Sequence, residues 1–225
     1  MKVATVKMPK DKPLTWHQQR AADSRLAILN AAQNVFLRAG YAASMDTLAE
    51  GAGVSRRTLY KQFGSKEAIF RAIMERMSEE YVSPMLHLIE EQGDMIDNIT
   101  KIARRFASLT CSPVLISLLR LCISEIGRFP DLARDFYNPG LRRVIPTLAS
   151  YLEQGMRKGV IRIADPMILA EQFLACAVGY RQYRALLGVS ADVYDRDDAY
   201  LEGAIALVIA KDADHIRSRA ANKKS

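Results

Sequence analysis

Apolar residues recur at spacings of three and four along almost the whole chain, and no other feature limits the possible folds so strongly. Ile28, Ala31, Ala32, Val35 and Phe36, for example, lie on one face of a helix. No segment alternates apolar and polar residues as a half-buried strand requires. The spacing therefore predicts an all-α protein.

Glycines and capping residues divide the first part of the chain into short helical segments. The first is predicted to run from about Ser24 to Ala39 and to end at Gly40. Ser44 and Ser55 each precede a short apolar stripe, in the position of an N-cap, and Gly53 separates the two stripes. Two short helices joined by a tight glycine turn predict a helix-turn-helix, whose second helix enters the major groove of DNA.

The excess positive charge lies in the same region. The chain carries 32 basic and 25 acidic residues, a net charge of +7. Residues 1–66 contain eleven of the basic and four of the acidic residues, which accounts for the whole of that +7. A local basic excess is the electrostatic footprint of a nucleic-acid-binding segment.

The outward side of the second short helix carries residue types that bind DNA. Arg56 and Arg57 can each contact guanine through two hydrogen bonds, and Lys61 suits a phosphate. Hydroxyl groups and cations on neighbouring segments can hold phosphates on either side. The predicted DNA-contacting residues are Arg25, Ser44, Thr47, Ser55, Arg56, Arg57, Thr58, Tyr60, Lys61 and Lys66.

A series of short motifs lies between about residues 24 and 75. They are Gly40-Tyr41, Ser44-Met45-Asp46, the run from Ala49 to Ser55, Thr58-Leu59-Tyr60, Phe63 and Ser65-Lys66-Glu67. In this combination they resemble the TetR family of bacterial regulators. The family pattern usually has Tyr before Phe63, where this chain has Gln62. The stretch from Glu125 to Leu132 is similar to the AefR-like branch of the family.

The resemblance implies a homodimer whose N-terminal three-helix domain binds DNA and whose C-terminal helical domain binds a small molecule. Ligand binding in such proteins usually weakens binding to the operator. The expected domains are a flexible basic arm at 1–19, the helix-turn-helix at 20–66, a ligand-binding and dimerisation domain at 67–215, and a tail at 216–225.

A cavity among the C-terminal helices is likewise implied by the resemblance. Apolar and aromatic residues on the helix faces are its candidate lining, although ordinary core packing is the alternative for each. The candidates are Tyr81, Met85, Phe106, Leu109, Leu118, Cys122, Phe136, Tyr137, Phe173 and Tyr180. We expect the ligand to be largely apolar.

Two helices near the C-terminus, about Pro166–Leu187 and Asp197–Ala213, are predicted to form the dimer interface. The first is rich in small residues, and the second carries Leu201, Ala204, Ile205 and Val208 on one stripe. Two such helices from each subunit would form a four-helix interface. Packing of the same residues within one chain is the alternative.

Other classes of function find little support in the residues. No Ser/His/Asp or Cys/His arrangement and no phosphate-binding glycine loop occurs, so we expect no enzyme, cofactor or metal. The three cysteines are widely spaced in apolar segments, which favours reduced thiols. No apolar run reaches the roughly 18 residues of a membrane span, and no leader is evident, so we expect a cytoplasmic protein, which the resemblance implies is bacterial.

The sequence therefore predicts a transcriptional regulator that binds double-stranded operator DNA. A repressor released from its operator by a small-molecule ligand is the preferred interpretation. A constitutive dimeric DNA-binding protein without a ligand, and a ligand-dependent activator, are the alternatives.

Overall fold

The computed structural model describes residues 15–90, 93–162, 164–189 and 197–209. These residues form α-helices and one π-helical turn, and they contain no β-strand, so the all-α prediction is confirmed. Among the described residues no single helix is long and apolar enough to span a membrane, although the helices Met95–Thr110 and Pro113–Glu125 meet both criteria as a pair bent by 59°. The chain divides into two compact units, residues 1–69 and 70–225.

The N-terminal unit contains three helices and the beginning of a fourth. They are α1 (Trp16–Ala39), α2 (Met45–Gly51), α3 (Arg56–Phe63) and α4 (Lys66–Met77). The buried side chains of Ile28, Phe36, Leu48 and Leu59 form its core. Tyr41 is 2% exposed and stacks on Phe36, with ring centroids 5.5 Å apart. The three-helix arrangement expected for residues 20–66 is thus built on one small apolar core.

The first helix begins eight residues earlier than the predicted start at Ser24. Thr15 is its N-cap: the Thr15 side chain accepts a hydrogen bond from the Gln18 backbone, and the Gln18 side chain accepts one from the Thr15 backbone. This reciprocal pair is a capping box. Residues 16–19 are therefore helical rather than part of a flexible arm, and residues 1–14 lie outside the described part of the chain.

The C-terminal unit continues α4 through a π-helical turn, Ser78–Val82, into a run of further helices. These are α5 (Ser83–His87), α6 (Met95–Thr110), α7 (Pro113–Glu125), α8 (Pro130–Tyr137), α9 (Leu141–Arg157), α10 (Pro166–Val178), α11 (Arg181–Leu187) and α12 (Asp197–Val208). Helix α10 packs against α6, α9 and α12. Ile102, Leu148, Leu169 and Phe173, each fully buried, lie in the core between these helices.

Two expectations about the predicted dimer helices are wrong in detail. The segment Pro166–Leu187 is two helices, because the chain turns at Gly179, which has a φ of +56°. Leu201, Ala204 and Val208 of α12 are buried in the core of their own chain. This stripe therefore packs within one chain, which was the alternative to a dimer contact. Residues 210–213 of the predicted last helix lie outside the described residues.

Candidate DNA-binding site and ligand cavity

Two serine caps position the short helices of the helix-turn-helix. The Ser44 hydroxyl accepts a hydrogen bond from the Thr47 backbone N–H at 3.1 Å and lies 2.9 Å from the Thr47 hydroxyl. Ser55 accepts from the Thr58 N–H at 3.0 Å, and the two hydroxyl groups are 2.8 Å apart. Four hydroxyl groups predicted to contact DNA are thus paired at the beginnings of α2 and α3.

Arg56 and Arg57 are neighbours in sequence with different surroundings. Arg56 Nη1 lies 3.0 Å from Asp46 Oδ2, and the guanidinium lies 5.4 Å from the centroid of the Tyr60 ring. A hydrogen bond with Tyr60 and the charge of Asp46 raise the pKa of Arg56. Arg57 is exposed and has no hydrogen bond or ion pair with any described residue. Arg56 is therefore held by Asp46 and Tyr60, whereas Arg57 has no such contact with the described residues.

Lys61 shares the exposed side of α3 with Arg57. The two residues are four apart, which places them on the same face of the helix. Lys61 is also exposed and, within the described ranges, makes no ion pair or hydrogen bond. Helix α3 therefore presents two cations whose side chains are available to a partner.

Two other predicted DNA-contacting residues have intramolecular partners within the same unit. Arg25 Nη1 donates to the backbone carbonyl of Gln62 at 3.3 Å, and the guanidinium lies 4.3 Å from the Phe63 ring centroid. This contact ties α1 to the end of α3. The Lys66 ammonium lies 4.6 Å from the centroid of the Tyr41 ring. Contact of Arg25 and Lys66 with DNA stays a prediction.

The C-terminal unit contains an apolar cavity of about 570 Å³ that is partly open to solvent. Its walls come from α4, the π-helical turn and α6 to α9, with one residue from α11. The lining residues are Met74, Met77, Ser78, Val82, Phe106, Leu109, Thr110, Leu115, Leu119, Cys122, Ile123, Ile126, Ala133, Arg134, Phe136, Tyr137, Pro139, Gly140, Leu141, Val144 and Gln182. Half of the residues predicted for a pocket, namely Phe106, Leu109, Cys122, Phe136 and Tyr137, are among them.

The other five predicted pocket residues lie elsewhere. Met85, Leu118 and Phe173 are at most 1% exposed and do not line the cavity. Tyr81 and Tyr180 are 46% and 71% exposed. An apolar residue on a helix face is recognisable from its spacing, but whether that face meets a neighbouring helix or a void depends on how the helices pack.

The other sixteen of the 21 lining residues were not predicted, and Met74, Met77 and Gln182 show why. Met74 and Met77 follow the apolar spacing of α4, but spacing alone does not distinguish a cavity residue from a core residue. Gln182 follows the unpredicted break at Gly179, and a lone glutamine carries no signal of its own. Its side-chain Nε2 donates to the backbone carbonyl of Thr110 at 3.2 Å.

Ion pairs and hydrogen bonds fasten one wall of the cavity. Arg71 Nε lies 2.8 Å from Asp135 Oδ1, which joins α4 to α8, and hydrogen bonding to Asp135 raises the pKa of Arg71. The Ser78 hydroxyl donates to the carbonyl of Pro139 at 2.5 Å and accepts from Arg143 Nη1 at 2.8 Å. The π-helical turn is thereby held to the segment between α8 and α9.

Both the N-terminal and the C-terminal part of the chain match models of known protein families. Residues 28–73 match the family model described as bacterial regulatory proteins of the tetR family. Residues 97–211 match the C-terminal domain of AefR-like transcriptional repressors. The HTH-type transcriptional regulator UidR of Escherichia coli K12 is 33% identical over 202 residues, which cover 85% of this chain and 94% of UidR.

Solved structures agree with this assignment. A TetR-family transcriptional regulator from Mesorhizobium loti has a TM-score of 0.71 at 26% identity, covering 84% of this chain and 98% of that one. FrrA, described as a flavonoid-responsive regulator, has a TM-score of 0.67 at 30% identity, covering 84% and 99%. This chain is therefore a DNA-binding transcriptional regulator rather than an enzyme, and it belongs to the TetR family.

Proposed function

We propose that this regulator is a homodimeric repressor, released from its operator when a small, largely apolar molecule occupies the cavity. The cavity of about 570 Å³ carries the proposal. Protein interiors contain few voids larger than a water molecule, whereas ligand pockets commonly enclose roughly 300–1,000 Å³. The similarity to AefR-like repressors and to a flavonoid-responsive regulator supports the same interpretation.

On the DNA side, we assign base contact to Arg57 and phosphate contact to Lys61. Both side chains are exposed and have no partner in the described part of the chain, so neither must break a contact to reach DNA. Arg56 is held by Asp46 and Tyr60, and would give up its ion pair to reach a base. The basic excess of residues 1–66 supplies the attraction that does not depend on sequence.

Helix α4 is the element through which the ligand acts. It begins at Lys66, beside the helix-turn-helix, and lines the cavity with Met74 and Met77. A ligand shifts a two-state equilibrium only by its difference in affinity for the two states. We therefore expect the cavity wall formed by Met74 and Met77 to differ between the DNA-binding state and the ligand-bound state.

The dimer we propose forms through the outward faces of α10 and α12, whose side chains are exposed in the described part of the chain. On α10, Ile168 is 57% exposed and Ala175 is also exposed. On α12, Gly203 and Ala206 are exposed. Small residues allow two helices to approach closely, and an isologous contact between these faces would give the four-helix interface.

Ligand-dependent release is tested by fluorescence anisotropy on an operator selected from random DNA. We expect at least one apolar fraction of a bacterial culture extract to raise the apparent Kd about tenfold or more, which corresponds to about 1.4 kcal/mol of coupling. Ala133→Phe, which adds a phenyl ring to the wall of the cavity, should strongly reduce the response, whereas Ala133→Ser should keep it. If no fraction changes the affinity, the protein is a constitutive DNA-binding protein.

The assignment of Arg57 makes a separate prediction. Arg57→Ala should weaken binding to the selected operator by about 1–3 kcal/mol and relax the base preference at one position of each half-site. Arg56→Ala is the matched control, and it should leave that base preference unchanged. Unaltered selection by Arg57→Ala would show that the base contact is made elsewhere.

A further inference from the structure

The charge of the cavity wall limits what the cavity can hold. Among the lining residues, all of which the structure describes, Arg134 is the one that carries a charge. Its side chain is 74% exposed, and Nη1 lies 3.3 Å from Asp131 Oδ1, so its charge is both hydrated and paired. Burial keeps Cys122 protonated by raising the pKa of its thiol to about 12. An ionised ligand would lose part of its hydration in this apolar cavity, and the one lining cation, Arg134, is already paired with Asp131, so burial of the ligand's charge is costly.

Among the polar side chains that line the cavity, Gln182 is the amide and can offer both a donor and an acceptor to a ligand. Gln182 donates from Nε2 to the Thr110 carbonyl at 3.2 Å. A carbonyl can only accept, so this bond fixes the orientation of the amide and leaves Oε1 as an acceptor. Among the described residues no donor meets that oxygen. A donor on the ligand would satisfy it.

Aromatic side chains supply the remaining recognition. Phe106, Phe136 and Tyr137 line the cavity from α6 and α8. Aromatic pairs in offset or edge-to-face contact contribute about 0.5–1.5 kcal/mol beyond the burial of their surface. The rings therefore favour a ligand that is itself aromatic over a saturated molecule of the same size.

We infer that the cavity takes an uncharged aromatic molecule with a hydroxyl or N–H donor, and that Gln182 selects for that donor through Oε1. The inference rests on the proposed function in one respect, namely that this cavity is the ligand site.

Charge selectivity is measured with two fluorescent probes of the same skeleton. N-phenyl-1-naphthylamine is neutral, and 8-anilinonaphthalene-1-sulfonate adds one sulfonate. We expect the neutral probe to bind the full-length protein at least tenfold more tightly, counting only the binding that Ala133→Phe removes and Ala133→Ser keeps. Equal affinities for the two probes would overturn the neutral-ligand inference while leaving a functional ligand cavity.

The role of Gln182 is measured by displacement of the neutral probe with 1-naphthol and with naphthalene. A hydrogen bond of about 0.5–1.5 kcal/mol corresponds to a preference for the naphthol of about threefold to tenfold. Gln182→Met keeps the length of the side chain and removes Oε1. In this variant we expect the affinity for naphthalene to persist and the naphthol-to-naphthalene ratio to fall by that factor.

A wrong assignment of Gln182 and a wrong assignment of the ligand site give different results. If the probe binds in the cavity but the ratio is the same in the wild type and Gln182→Met, the assignment of Gln182 is wrong and the ligand cavity stands. If Ala133→Phe does not reduce probe binding, the cavity is not a ligand site, and both the inference and the ligand-release proposal fail. Persistent naphthalene binding by Gln182→Met shows that the variant is folded.

Discussion

Gly51 shows how one missing side chain sets the distance between two helices of the DNA-binding unit. A Cβ atom at this position would lie 2.4 Å from Val35 Cγ2 on α1. Val35 is β-branched and so has few alternative rotamers. Without a side chain at Gly51, α2 can cross α1 closely, in the order of elements that a helix-turn-helix requires.

Gly51→Ala is therefore expected to destabilise the protein, although alanine has the higher helix propensity. Overpacking costs about 1–3 kcal/mol, against a propensity gain of about 1 kcal/mol. Thermal unfolding followed by circular dichroism measures the change. In a Val35→Ala background the space is available, so there Gly51→Ala should be neutral or stabilising. A gain in stability without the Val35 change would contradict the predicted steric clash.

Cys122 is the lining residue whose protonation can be measured directly. Burial raises the pKa of its thiol to about 12. Because the thiolate is the reactive form, alkylation of Cys122 by iodoacetamide should accelerate about tenfold per pH unit from pH 7 to 10. An ordinary thiol, with a pKa of about 8.5, should level off above about pH 9. Peptide mass spectrometry separates Cys122 from Cys111 and Cys176.

The raised pKa of the Cys122 thiol also makes the stability of the folded protein depend on pH. The pKa of this thiol is higher in the folded than in the unfolded protein. The contribution of the buried, protonated thiol to the free energy of unfolding is therefore fully present below about pH 8.5 and is lost as the pH rises towards 12. Unfolding in urea should return the alkylation profile of Cys122 to a plateau near pH 9. A plateau in the native protein would mean that the thiol is not shielded.

Among the elements, the break between α10 and α11 depends on Gly179. Its φ is +56°, and a Cβ there would lie 2.3 Å from Cε1 of Tyr200 on α12. Positive φ is unfavourable for residues with a side chain. The break allows α11 to leave the line of α10 and to contribute Gln182 to the cavity.

Gly179→Ala should destabilise the protein more than the same change at Gly188. Both glycines have positive φ, but a Cβ at Gly188 would have nothing closer than Arg120 Nη2 at 3.8 Å. The control variant, Gly188→Ala, therefore carries only the cost of placing alanine at a positive φ, of order 1–3 kcal/mol. Urea denaturation of the two variants measures the difference. Equal losses would show that the Tyr200 ring moves aside without cost.

At the scale of the whole molecule, the dimer proposed above predicts how oligomeric state controls DNA binding. Ala206→Arg places a long charged side chain on the exposed face of α12. We expect light scattering to report a monomer, and we expect operator binding to weaken by at least a hundredfold, because the second half-site contact becomes intermolecular. Ser108→Arg adds the same charge at an exposed position of α6 and should remain dimeric. A dimeric Ala206→Arg protein would place the interface elsewhere.

Local chemistry determined much of the fold. Ser44, Ser55, Ser112 and Asp94 begin the helices that follow them, because a cap bonds to a backbone N–H two or three residues away. Apolar spacing of three and four likewise acts within one or two turns. These short-range rules, with the basic excess of residues 1–66, were sufficient to predict an all-α regulator with a helix-turn-helix. They also misplaced the start of α1, where the Thr15–Gln18 capping box went unrecognised.

The tertiary structure decided which residues do what. Arg56 meets Asp46 ten positions away, which separates it from Arg57. Gln182 meets Thr110 across 72 positions, and five of the ten predicted pocket residues lie outside the cavity. Sequence spacing defines the faces of each helix, but a void exists only where faces from several helices fail to fill the space between them. That outcome depends on contacts between distant residues, which no local pattern contains.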